Sequence, residues 1–108
     1  MEKLFSYGTL RDAAVQRAVF GRTLEGTNDT LGGYRLAPVR LADWNGARIS
    51  GGDLQRTLVP ADGECVTGAA LHVSDVELRL ADSYEPREYK RIKVRLGSGT
   101  EAWVYLKT

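Results

Sequence analysis

Apolar and polar residues alternate most clearly in the last quarter of the chain, over residues 89–96. Strict alternation is typical of a β-strand with one face in the core. The apolar side is formed by Ile92, Val94 and Leu96, and the other side by Tyr89, Arg91, Lys93 and Arg95. The turn residues Gly97-Ser98-Gly99 lead into another strand over residues 102–106. This pattern predicts an antiparallel hairpin.

Two short helices are predicted from residues that cap helices. Asp12 is a suitable N-cap for a helix that Gly21 would end. The tetrad Ser74-Asp75-Val76-Glu77 matches a capping box and starts the second helix. Pro86 cannot continue that helix, so we expect it to end at or near Glu85.

The second helix also carries an apolar repeat. Val76, Leu80 and Tyr84 recur at i, i+4 and i+8. This spacing predicts that these three side chains form the buried face of the helix.

The remaining segments predict further strands. We expect them over residues 4–7, 24–34, 35–41, 58–59 and 66–73, with interruptions at Gly32-Gly33 and Pro38 and a loop over residues 43–53. Gly68, Ala69 and Ala70 leave space on their strand, either for a packed helix or for a ligand. Together the elements predict an α+β fold with a small, mixed, barrel-like sheet and two short flanking helices.

Length and composition agree with one ordinary domain spanning residues 1–108. The chain is 43% apolar, and 15 basic against 14 acidic residues leave a net charge of +1. That balance gives no reason to expect nucleic acid as a partner. No apolar run approaches the ~20 residues that cross a bilayer, and no signal peptide is recognisable. We therefore expect a soluble cytoplasmic protein with no membrane partner.

Metal and thiol chemistry are not indicated. The chain has a single cysteine, Cys65, and a single histidine, His72. These two residues make neither an internal disulfide nor a plausible zinc ligand set. We expect no metal and no cofactor.

Two segments carry the candidate chemistry. Tyr7-Gly8-Thr9-Leu10 follows a short strand, and its backbone N–H groups are placed to face one anionic or carbonyl oxygen. Glu85 stands at the end of a helix, where an apolar wall would raise its pKa and suit it to acid–base catalysis. The alternatives are a glycine that serves only a positive φ and a solvated glutamate.

Three further side chains are candidates for the same pocket. Tyr89 and Arg91 share one face of their strand, and Tyr105 lies on the last strand. Arg91 would suit a substrate carboxylate, but a structural ion pair or simple solvation is equally open.

The order of these segments resembles the gamma-glutamylcyclotransferases, especially their short bacterial and plant members. The likeness includes Phe5-Ser6-Tyr7-Gly8-Thr9-Leu10, Leu31-Gly32-Gly33-Tyr34-Arg35-Leu36, Val66-Thr67-Gly68, Asp82-Ser83-Tyr84-Glu85, Tyr89-Lys90-Arg91 and Val104-Tyr105. It therefore runs along nearly the whole chain.

The resemblance implies an enzyme without a metal, with Glu85 as acid and base. It further implies that residues 7–10 hold the gamma-glutamyl part of a small-molecule substrate. The implied reaction is an intramolecular aminolysis that releases an amine or amino acid and forms 5-oxoproline. The alternative is a non-catalytic module that binds a gamma-glutamyl or amino-acid derivative. The sequence does not indicate the leaving amine or the oligomeric state.

Overall fold

The computed structural model describes residues 1–40 and 54–108. Within these residues the chain forms five strands, two α-helices and one 3-10 turn. The strands are β1 (Glu2–Ser6), β2 (Gly26–Arg40), β3 (Leu54–Val73), β4 (Tyr89–Arg95) and β5 (Glu101–Lys107). The 3-10 turn is Thr9–Arg11, and the helices are α1 (Ala13–Phe20) and α2 (Asp75–Tyr84). The predicted loop over residues 43–53 and Trp44 lie outside the described residues.

The described strands form one mixed sheet in the order β2-β3-β1-β5-β4. Most neighbours are antiparallel, but β1 and β5 run parallel, with Leu4 opposite Trp103. The α+β class and the mixed sheet predicted from the sequence are confirmed.

The two long strands correct the predicted boundaries. Strands β2 and β3 pair along almost their whole length, from Gly26–Leu71 to Arg40–Leu54. The predicted interruption at Gly32-Gly33 is a bulge within β2, where Gly33 has φ +85°. Pro38 and Pro60 also lie inside strands. The predictions of separate strands were wrong because long-range pairing continues through residues that weaken a strand locally.

The sheet curves until its first and last strands meet, as the predicted barrel-like shape requires. The N–H of Gly97, after β4, donates to the carbonyl of Thr30 on β2 at 2.8 Å. Asp29 accepts hydrogen bonds from the backbone N–H and the hydroxyl of Ser98, at 3.2 and 2.5 Å.

The core has two parts, one on each face of the sheet. The part inside the curved sheet contains Phe5, Tyr7, Leu31, Leu58, Val66, Ala70, Leu96, Ala102 and Val104. The part under the helices contains Leu4, Leu10, Val15, Leu71, Val73, Leu78, Ala81, Tyr84 and Tyr105. Successive residues of β1 and β5 therefore serve opposite parts, as the strand period requires.

Both helices have the caps that the sequence predicts. Asp12 accepts hydrogen bonds from the N–H groups of Ala14 and Val15, and Gly21 ends α1 with φ +75°. Ser74 and Glu77 form the capping box of α2, which ends at Tyr84 with Glu85 as its C-cap.

The predicted buried face of α2 was wrong in part. Val76 and Leu80 are 63% and 41% exposed, whereas Leu78 and Ala81 are buried beside Tyr84. Glu77 is buried as well, because Arg22 binds its carboxylate at 2.6 and 2.8 Å. Apolar periodicity alone predicts that Glu77 is exposed to solvent, but its ion pair with Arg22 allows it to be buried.

Candidate active site

Glu85 lies at the C-terminal end of α2, partly buried between the helix and the sheet. Its N–H donates to the carbonyl of Ala81 at 3.0 Å, which holds the backbone, and Pro86 then stops the helix. Burial raises the pKa of Glu85 to about 8, and the negative charge of Asp82 adds to this effect. No described residue donates a hydrogen bond to its carboxylate. Glu85 is thus poised to exchange protons near neutral pH.

Three tyrosines lie near Glu85: Tyr7 follows β1, Tyr89 lies on β4 and Tyr105 on β5. Burial raises the pKa of Tyr7 and Tyr105 well above the usual value, and of Tyr89 to about 12, with the charge of Glu85 contributing each time. Tyr7 donates to the carbonyl of Tyr105 at 2.6 Å, and Tyr89 to the carbonyl of Arg56 at 3.0 Å. All three rings are therefore held by hydrogen bonds and stay neutral around the carboxyl group.

The turn after β1 contains backbone donors that are not used within the turn. Arg11 and Asp12 donate their N–H groups back to Gly8 and Thr9, but the first donors of the 3-10 turn have no acceptor inside it. No described residue accepts from the N–H of Thr9 or Leu10. Such a pair of unpaired donors is suited to an anionic or carbonyl oxygen.

Two contacts link this turn to its surroundings. The hydroxyls of Thr9 and Tyr84 are 2.7 Å apart, and Tyr84 precedes Glu85 in the chain. The guanidinium of Arg11 donates to the carbonyls of Tyr7 and Gly8 at 3.2 and 3.4 Å. The structure therefore brings the turn and the helix end together, although they are distant in sequence.

Arg91 makes the structural ion pair that the sequence left open. Its guanidinium binds Asp82 with two parallel hydrogen bonds, of 2.9 and 3.0 Å. The Tyr105 hydroxyl donates to the same carboxylate at 2.5 Å. Binding of a substrate carboxylate by Arg91 stays a prediction, as do the proposed substrate contacts of Tyr89 and Tyr105.

Sequence reasoning gave no role to two further residues near this site, Asp82, which it named only as part of a motif, and Thr57. Thr57 is a buried polar residue whose hydroxyl accepts from the N–H of Lys107 at 2.8 Å. Asp82 shares one helix face with Glu85, since i and i+3 are neighbours on a helix. That spacing was visible in the sequence, whereas the partners of Asp82 come from β4 and β5.

The described residues hold no group of three or more His, Cys, Asp or Glu side chains placed to bind a metal. Cys65 is exposed. No helix within residues 1–40 and 54–108 is long and apolar enough to span a membrane.

Several solved structures share this fold. A protein described as a gamma-glutamyl cyclotransferase superposes with a TM-score of 0.77 at 18% identity, over 99% of this chain and 66% of its own. Two Arabidopsis thaliana proteins give TM-scores of 0.75 and 0.74 at 22% and 26% identity. Each is matched over 98% of this chain. The chain spans only 61% and 68% of their respective lengths.

Comparison with curated proteins finds no match. A family model, by contrast, matches residues 4–108, which include the Tyr7–Leu10 turn, Glu85 and every strand from β2 to β5. The chain belongs to the AIG2-like gamma-glutamyl cyclotransferase family.

Proposed function

We propose that this protein is a cyclotransferase that acts on a gamma-glutamyl amine, peptide or isopeptide. The reaction releases the attached amine or amino acid and forms 5-oxoproline. One observation carries the proposal: the Thr9 and Tyr84 hydroxyls, 2.7 Å apart, bring the helix end with Glu85 to a turn whose Thr9 and Leu10 N–H groups have no acceptor among the described residues. We further propose that the protein works in the cytoplasm on small molecules, with no cofactor.

The proton donor and the proton acceptor have similar pKa values. An α-ammonium group has a pKa of ~8, so transfer to Glu85 is nearly thermoneutral. The freed α-amine attacks the γ-carbonyl carbon of the same substrate, and the C–N bond to the leaving amine then breaks. Over one turnover Glu85 moves two protons from the α-nitrogen to the departing nitrogen, and returns to its ionised form. The nucleophile is already tethered, so the protein mainly holds the substrate in a reactive curl.

The turn supplies the second part of the mechanism. We assign the N–H groups of Thr9 and Leu10 to a substrate oxygen, either the γ-carbonyl oxygen or the α-carboxylate. Donors that are already in place stabilise negative charge without reorganisation. The neutral rings of Tyr7, Tyr89 and Tyr105 would wall the site and exclude water.

The test is release of 5-oxoproline from a panel of gamma-glutamyl amines and peptides by the wild type and Glu85→Gln. We expect the substitution to lower kcat by about 10³-fold, in the range of general acid–base catalysis. In the wild type, kcat/KM should rise about tenfold per pH unit up to about pH 8, because only the ionised Glu85 accepts a proton.

The matched control is Glu88→Gln, which removes an exposed carboxylate of the same type a few residues later. It should keep full activity. If neither the wild type nor the control turns over any panel member, while both bind a gamma-glutamyl compound, the protein is a binding module instead.

A further inference from the structure

Asp82 is the most heavily engaged carboxylate near the site. It lies on α2, three residues before Glu85, and it receives three hydrogen bonds from the sheet. Arg91 donates two, at 2.9 and 3.0 Å, and the Tyr105 hydroxyl donates one, at 2.5 Å. The last turn of the helix is therefore attached to β4 and β5 through one side chain.

The donors to Asp82 have little freedom. Arg91 and Tyr105 are direct cross-strand partners, so the sheet sets the distance between them. Arg91 also stacks on the indole of Trp103, with its guanidinium carbon 4.4 Å from the ring centre. Trp103 in turn donates its indole N–H to Glu2 at 2.7 Å. Arg91 is thus held by the Trp103 ring as well as by Asp82, unlike the arginine of a solvated surface pair.

Asp82 also contributes a constant charge. Its partial burial would raise its pKa, but the hydrogen bonds from Arg91 and Tyr105 outweigh this effect and hold the pKa below its usual value. Asp82 is consequently ionised at neutral pH. The charge of Glu85 in turn acts on Tyr7, Tyr89 and Tyr105, while Arg56 acts on Tyr7 and Glu88 on Tyr89.

We propose that Asp82, bound by Arg91 and Tyr105, is a positioning residue that fixes the end of α2 on the sheet and thereby aims Glu85 at the substrate. The ion pair also sets the electric field at Glu85: the carboxylate of Asp82 favours a bound proton there, and the guanidinium of Arg91 opposes it. The catalytic half of this inference rests on the proposed function. The electrostatic half does not, because it concerns Glu85 in the free protein.

Because Asp82 and Arg91 carry opposite charges, removing one or the other should shift the titration of Glu85 in opposite directions. A purely structural role of the ion pair does not predict opposite shifts. Asp82→Asn removes the negative charge, so Glu85 should titrate about 0.5–1 pH unit lower than in the wild type. Arg91→Met leaves the charge of Asp82 uncompensated, so Glu85 should titrate higher by a similar amount. Loss of packing alone would make Glu85 more exposed in both variants and shift both titrations downwards.

The first experiment is an NMR titration of the Glu85 side-chain carboxyl in the full chain. Lys93→Met is the control, because the Lys93 ammonium also lies over the Trp103 ring, 4.5 Å from its centre, but pairs with Glu2 rather than Asp82. Its shift should be much smaller. Backbone spectra verify that each variant is folded, and Asp82→Ser, which also removes the negative charge, replaces Asp82→Asn if that variant is not.

The second experiment measures positioning. Arg91→Lys keeps the charge but not the two parallel hydrogen bonds, so Glu85 should titrate as in the wild type while kcat falls about tenfold with little change in KM. Opposite titration shifts support the inference even if no substrate turns over. Unchanged titration in folded Asp82→Asn and Arg91→Met, or full activity of Arg91→Lys in an active enzyme, would overturn it.

Discussion

Gly8 is a glycine that the local backbone does not require. Its φ is −136°, outside the left-handed region that favours glycine. A Cβ built on it would meet no described atom within 4 Å. Among the described residues the space beside Gly8 is therefore open, next to the N–H groups of Thr9 and Leu10, which have no acceptor there. We propose that the absence of a side chain here lets a ligand approach the backbone closely.

This explanation predicts a separation of stability from binding at residue 8. Gly8→Ala should change the Tm by no more than a few degrees, because the new methyl group meets open space. It should raise KM for a gamma-glutamyl substrate by about tenfold or more, because the methyl group stands where the substrate lies. Thermal unfolding and steady-state kinetics measure both effects.

The control for this prediction is Gly32→Ala. Gly32 also lacks a positive φ and has no described atom within 4 Å of an added Cβ. It lies on β2 outside the site, so KM should not change. If Gly8→Ala leaves KM at the wild-type value, the turn does not contact the substrate.

The sequence predicts the types of the site residues better than their environments. Glu85 and residues 7–10 are recognisable from the helix stop at Pro86, the glycine turn and the resemblance. The raised pKa of Glu85 depends on Asp82 and on enclosure by strands that are remote in the chain. The role of Arg91 stayed open because its partner lies on α2, and alternation within β4 says nothing about that helix.

At the scale of elements, caps were predicted well and buried faces less well. Caps depend on a few neighbouring residues, so Asp12, Ser74 and Gly21 were sufficient. The face of α2 depends on what packs against it, and the apolar spacing of Val76 and Leu80 was misleading. Burial of Glu77 is possible only because Arg22, from the segment after α1, neutralises it.

The small residues of β3 show a second limit of sequence reasoning. The sequence left open whether a helix or a ligand uses the space along this strand, and at Gly68 the ring of Phe5 from β1 lies there. A Cβ on Gly68 would lie 2.8 Å from that ring and even closer to the carbonyl oxygen of Ser6. The glycine thus permits β1 to approach β3 closely just before the turn over residues 7–10.

Gly68→Ala should therefore destabilise the protein by about 2 kcal/mol, as overpacking in a core does. The collision involves a backbone oxygen, which cannot move aside without shifting β1. Urea unfolding compared with the Gly32→Ala control measures the difference. Equal unfolding midpoints for the two variants would contradict the close packing described for Gly68.

For the whole molecule, the curved sheet was predictable and its register was not. Many short strand signals and two helices indicate an α+β fold, but pairing depends on contacts between remote segments. The parallel contact of β1 with β5 and the hydrogen bond from Gly97 to Thr30 both join remote segments, so local sequence patterns do not predict them.

The central place of β1 has a consequence for the order of folding. Leu4 pairs with Leu71 and with Trp103, which lies near the opposite end of the chain. A sheet built on such remote contacts closes long loops before it gains stability, so refolding is expected on the order of milliseconds to seconds. Stopped-flow fluorescence of a Trp44→Phe variant, with Trp103 as the remaining tryptophan, measures that rate; refolding within microseconds would contradict this topology.

The same order applies to the assembly of the site. The Tyr7 hydroxyl donates to the carbonyl of Tyr105 on β5, so the turn over residues 7–10 gains this hydrogen bond only when β5 docks. Recovery of ligand binding during refolding should then follow the Trp103 signal with one rate. A chain in which β5 has not docked would contain the residues of the turn but would not bind a substrate.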